Sequence, residues 1–179
     1  MIKQCALLFL AILILSVNSV AQTRVQPTER EKGELLQQLM KDDADVRSGV
    51  NDFEGRMNGA VASMGVKKTD LNRDRQAEYI IQYVLGTMLC SATGNCPQWV
   101  YFKTGSRYRL LLKVTGNDIS IEKSSTNGYR DLSTSGHYSA SEIYVIIYKF
   151  NGDKYQAKDC SIRSRVGKRI KIVPQTCRE

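Results

Sequence analysis

The spacing of apolar residues changes period along the chain. Leu35, Leu36, Leu39 and Met40 recur at helical spacing, and Thr28 with Glu31 makes a capping-box pattern just before them. This predicts a helix from Glu29 to Lys41. Val46, Val50, Phe53, Met57, Val61 and Met64 continue at spacings of three and four. Gly49, Gly55 and Gly59 fall inside that run, each costing about 1 kcal/mol against alanine in a helix. A second, irregular helix is the expectation there.

From Val66 the pattern shortens. Ala77 to Leu85 reads as a buried strand with Tyr79, Ile81 and Tyr83 on one face. Gln98 to Lys103 and Tyr108 to Val114 read as a hairpin around Thr104-Gly105-Ser106. Gly116-Asn117-Asp118 turns the chain into a strand from Ile119 to Ser124, and Asn127-Gly128 is a second turn signal. Ser141 to Phe150 is a strand, and Asn151-Gly152-Asp153 turns it into Lys154 to Lys158. Residues 22–78 carry one aromatic and residues 79–179 carry twelve, and aromatic enrichment marks strands. The expected fold is α+β, mainly an antiparallel β meander with an N-terminal helical segment.

The first 21 residues change where this fold belongs. Lys3, the apolar run from Ala6 to Leu15 and the small residues Ser19 and Ala21 read as a secretory signal peptide. The run is shorter than the roughly 20 residues of a membrane span. The expected organisation is a signal peptide over 1–21, a helical segment over 22–65, and a β-rich domain over 66–179. Secretion or a periplasmic location follows, with no transmembrane span after the signal is removed. Cys5 leaves with the signal, so Cys90, Cys96, Cys160 and Cys177 remain. An even set in an exported chain reads as disulfides. Of the three possible pairings, Cys90–Cys96 and Cys160–Cys177 are favoured because both close short loops. A four-cysteine zinc site is the rival, without a C-x-x-C knuckle to support it.

Candidate chemistry is sparse. Asp70, Asn72, Asp74 and Glu78 place oxygens at alternating positions, a pattern that can converge on calcium. Arg75 stands where a regular calcium loop needs glycine, and Arg73 adds a second positive charge. The competing reading is a loop whose side chains cap backbone amides. Calcium is the one cofactor suggested. His137, the only histidine, lies near Asp131 and Glu142 in sequence, so a general base for a small secreted hydrolase is an alternative.

Charge sharpens the picture more than these motifs do. The net charge is +8, and residues 22–78 hold ten basic and eleven acidic residues. Residues 161–179 hold six basic residues against one acid. Arg163, Arg165, Lys168, Arg169 and Lys171 form a basic C-terminal hairpin bent at Val166-Gly167-Lys168. Alternation predicts the basic residues on one face and the isoleucines on the other. That strip is a candidate anion-binding surface, alongside the reading of a solvated edge strand protected from pairing by its charges.

Asp70 to Glu78 followed by Tyr79-Ile80-Ile81 is similar to the Asp-x-Asn-Gly-Asp-Gly-x-x-Glu motif of FG-GAP/VCBS-type extracellular β modules. Cys90 to Trp99, Tyr108 to Leu112, Thr126 to Leu132 and Tyr148 to Tyr155 resemble a group of exported bacterial β-rich proteins of unknown function. The resemblance spans roughly residues 66–160 and implies a secreted β-rich module without a catalytic residue. The functional expectation is an exported non-enzymatic binding or envelope-associated module. Its partner would be an anionic envelope polymer or another envelope protein, with nucleic acid disfavoured. A lysozyme-inhibitor-like protein is a further alternative, suggested by Ser135-Gly136-His137-Tyr138; the positive charge would repel its cationic target.

Overall fold

The computed structural model describes residues 26–53, 56–86, 88–167 and 169–177. The leader read over residues 1–21 lies outside them, as do Lys168 and Arg178. Helix α1 spans Glu29–Asp42. Its capping box is formed: the Glu31 amide donates to Thr28 Oγ1 at 3.2 Å and the Thr28 amide to Glu31 Oε2 at 2.9 Å. Leu35, Leu36 and Leu39 are its buried stripe. Asp43 ends α1 and starts α2, Ala44–Asp52, its carboxylate accepting the Asp45 amide at 3.1 Å. The expected irregular helix is two helices. Its second half is α3, Arg56–Ser63, and Arg56 at the break holds a left-handed φ of 45°.

Among the described residues, nine strands form two antiparallel sheets, each in sequential order. The first holds β1 (Gly65–Thr69), β2 (Glu78–Tyr83), β3 (Cys96–Thr104) and β4 (Arg107–Gly116). The second holds β5 (Ile119–Thr126), β6 (Tyr129–His137), β7 (Glu142–Phe150), β8 (Tyr155–Val166) and β9 (Arg169–Gln175). Antiparallel β structure dominates the described residues, as the turn pattern predicts, with three short helices added. Among the described residues no helix is long and apolar enough to cross a membrane.

The first sheet is buried on both faces, because successive side chains point opposite ways. Tyr79, Ile81, Trp99 and Tyr101 pack with the leucines of α1. Ile80, Val100, Leu111 and Leu112 pack with Leu132, Tyr148, Phe150 and Tyr155 of the second sheet. The order is therefore helices, first sheet, second sheet. Tyr83, expected on the buried face of β2, is 47% exposed at the strand's end.

Local turns match their residues. Asn127 and Gly128 both have positive φ, as a two-residue hairpin between strands requires. Gly136 is a close approach: a Cβ there would lie 2.3 Å from the Tyr144 hydroxyl, which donates to the Thr115 carbonyl at 2.6 Å and ties the sheets together. Strand β6 carries no period that sequence alone reveals. Between Arg130 and His137 only Leu132 is apolar, while its neighbours Ser133 and Thr134 are buried as well.

Candidate functional site

Strands β8 and β9 form the basic hairpin at the free edge of the second sheet. Gly167, with φ of 61°, lies in the two-residue bend that sets Val166 opposite Arg169. That bend fixes the phase of the two strands. Arg163 pairs with Ile172 and Arg165 with Ile170, while Ser164 pairs with Lys171. Directly opposed residues of an antiparallel pair share a face. The expected separation into a basic face and an isoleucine face is therefore wrong. Arg163, Arg165, Ile170 and Ile172 share one face, and Val166, Arg169, Lys171 and Val173 share the other. Each strand alternates as predicted; the bend places odd positions of one against even positions of the other. Lys168 lies outside the described residues.

This hairpin lacks support from the core. Every residue of β9 is exposed, and Val166, Ile170 and Ile172 are 62%, 70% and 56% exposed. What holds it is the ladder to β8 and the Cys160–Cys177 disulfide at its base, with Cα atoms 5.3 Å apart. The second expected bridge, Cys90–Cys96, closes the turn before β3. Both pairings agree with the short-loop expectation, and the bonded sulfurs leave no thiolates for the rival zinc site.

Only part of the body's positive charge is paired: Lys41, Lys67, Arg107 and Lys123, for example, have no acidic side chain within 4.0 Å among the described residues. Lys68 pairs with Glu31 at 2.8 Å, Lys103 with Glu34 at 3.0 Å, Lys113 with Asp43 at 2.7 Å and Lys149 with Asp159 at 3.2 Å. Among the described residues, Arg163, Arg165, Arg169 and Lys171 have no acidic side chain within 4.0 Å. Among the described residues these four basic side chains thus form no ion pair of their own.

The Asp70–Glu78 loop closes on itself. Asp70 accepts the amides of Arg73 and Arg75 at 2.6 and 3.0 Å, Asn72 accepts that of Asp74 at 3.0 Å, and Asp74 accepts that of Gln76 at 2.7 Å. Arg73 and Arg75, standing where the resembled motif has glycines, hold left-handed φ values of 64° and 69°. Glu78 is fully buried at the base, one oxygen accepting the Leu71 amide at 2.7 Å and the other unpartnered. Burial, reinforced by the nearby Asp74 and Asp70 carboxylates, outweighs the Leu71 hydrogen bond and pushes the Glu78 carboxyl up to about 7. Among the described residues no group of three or more His, Cys, Asp or Glu side chains is placed to hold a metal ion.

His137 is likewise engaged through its backbone. Its amide donates to Asn95 Oδ1 at 2.9 Å and its carbonyl accepts from Asn95 Nδ2 at 3.1 Å. Asp131 lies six residues back along β6, about 20 Å away at strand rise, and Glu142 Oε2 accepts from Ser139 instead. The structure does not bring the three together as an acid–base set.

Sequence reading missed a seam between the helices and the first sheet. Four aromatic residues donate to four carboxylates: Tyr79 to Glu31 at 2.7 Å, Tyr101 to Asp42 at 2.8 Å, Tyr108 to Glu34 at 3.2 Å and Trp99 to Asp43 at 3.1 Å. The only hint was acidic residues flanking the apolar stripe of α1. Burial raises the Glu31 carboxyl, but hydrogen bonds from Lys68, the Thr28 amide and Tyr79 outweigh it and bring it to about 2. Hydrogen bonds from Arg30 and Lys103, against a smaller burial effect, bring Glu34 to about 2. Burial likewise opposes but does not overcome the Lys113 hydrogen bond and charge, which hold Asp43 below its ordinary value. This seam joins layers and offers no open reactive group.

Compared with protein-family models, curated proteins and solved structures, the chain matches none.

Proposed function

We propose that the chain is an exported, non-enzymatic binding module that attaches to an anionic surface of the cell envelope through its C-terminal hairpin. One observation carries this reading. Residues 161–179 hold six basic residues against one acid, and among the described residues Arg163, Arg165, Arg169 and Lys171 have no acidic side chain within 4.0 Å, on a disulfide-anchored hairpin whose outer strand is exposed throughout. An unneutralised cluster of one sign attracts an oppositely charged surface. Export rests on the leader pattern of residues 1–21 and agrees with two disulfides in so small a chain. For the hydrolase alternative no assembled acid–base pair is found: among the described residues no acidic side chain lies within 4.0 Å of the His137 ring. The lysozyme-inhibitor alternative faces the same charge repulsion as before.

The test is retention of the mature chain on immobilised polyphosphate. Retention should fall as salt rises, because exposed charges are screened. Arg169→Glu with Lys171→Glu should abolish it. Equal retention of that double variant would overturn the reading.

A further inference from the structure

We infer that the anionic partner is a phospholipid bilayer, and that the tip of the β8–β9 hairpin inserts into its headgroup region. The inference rests on the anionic-surface reading and names its partner. The deciding observation is that apolar and basic side chains alternate on both faces of the tip. Val166 and Ile170, 62% and 70% exposed, point to opposite faces because Val166 pairs with Arg169 and Ile170 with Arg165. A flat polymer or a protein groove contacts one face and leaves the other apolar residue in water. A bilayer interface surrounds an inserted tip, accepting aliphatic side chains while its phosphates meet Arg165, Arg169 and Lys171 on either side.

A second copy of the chain fits less well. Arg169 and Lys171 lie on the β9 edge that a second copy would pair with, and edge charges oppose such pairing. Shallow insertion also suits the backbone. The free edge of β9 has unpaired amides that the hydrated headgroup layer can satisfy and the hydrocarbon core cannot. The Cys160–Cys177 bond anchors the hairpin's base to the body.

The experiment is vesicle flotation with the mature chain. It uses phosphatidylcholine alone and phosphatidylcholine mixed with phosphatidylglycerol. The chain should float only with the anionic vesicles. Val166→Ser with Ile170→Ser should weaken flotation about tenfold or more, through lost apolar burial, while retention on polyphosphate stays unchanged. Ile170→Trp should show a blue-shifted emission on adding anionic vesicles, against the constant signal of buried Trp99. If the serine variant floats like the wild type, or the wild type is retained on polyphosphate yet does not float, this inference fails and the anionic-surface reading stands. If the chain neither floats nor is retained on polyphosphate, both fail.

Discussion

The two faces of the first sheet handle buried polar atoms in opposite ways. Toward the helices, Tyr79, Tyr101, Tyr108 and Trp99 each bring one donor, and Glu31, Asp42, Glu34 and Asp43 each accept one. Lysines from β1, β3 and β4 complete three of these carboxylates. Toward the second sheet an apolar cluster forms the layer, and Glu78 is buried with one unpartnered oxygen, as are Gln98 and Asp131 with one unpartnered atom each. A buried carboxylate with charge-assisted partners stays ionised, and one without them is driven toward neutrality. Glutamate carboxyls are thus shifted in opposite directions on the two faces of one sheet, Glu31 down and Glu78 up.

The strongest way to break this contrast is Asp43→Ala. It removes the cap of α2 and leaves the Trp99 indole N–H and Lys113 without their acceptor. A loss of about 3 kcal/mol is expected in urea unfolding. A loss under about 1 kcal/mol would mean that the seam is ornamental to stability.

Glu78→Gln probes the other face. The folded-state value of Glu78, about 7, lies above its ordinary 4.5. Its contribution is therefore full below about pH 4.5, declines as pH rises toward 7, and is gone above it. The glutamine keeps an acceptor for the Leu71 amide and carries no charge. It should gain up to about 3 kcal/mol at pH 8 and nothing at pH 4. Glu31 and Glu34 have the opposite sign, at about 2 when folded against 4.5. Their contribution is full above about pH 4.5 and is lost as pH falls through 2. Wild-type stability measured against pH should therefore decline on both sides of about 4.5, and Glu78→Gln should flatten only the alkaline side. A flat alkaline side in the wild type would contradict a neutral Glu78.

The smallest effect is expected in the loop above Glu78. Arg75 holds a left-handed backbone that glycine adopts without penalty. Arg75→Gly should raise stability by about 1 kcal/mol through relief of that strain. An unchanged midpoint would show that the greater freedom of glycine in the unfolded chain offsets the relief.

Local features were legible because they depend on neighbours in sequence. The Thr28–Glu31 box, the leucine stripe, the Asn127-Gly128 turn and both disulfides follow from spacings of a few residues or short closed loops. Strand β6 was missed because, Leu132 apart, its buried positions are filled by aspartate, serine, threonine and glycine, whose burial depends on a facing sheet. The aromatic–carboxylate seam was missed because its partners lie 48 to 74 residues apart.

The hairpin divides the two kinds of information most plainly. Residue order alone shows that the last strands are basic, that apolar residues alternate with the charges, and where the bend falls. Which charges share a face with which isoleucines emerges on folding, since a two-residue bend sets the phase between strands. Folding also decided that β9 projects beyond the core, so that the apolar residues of its tip remain exposed on both sides.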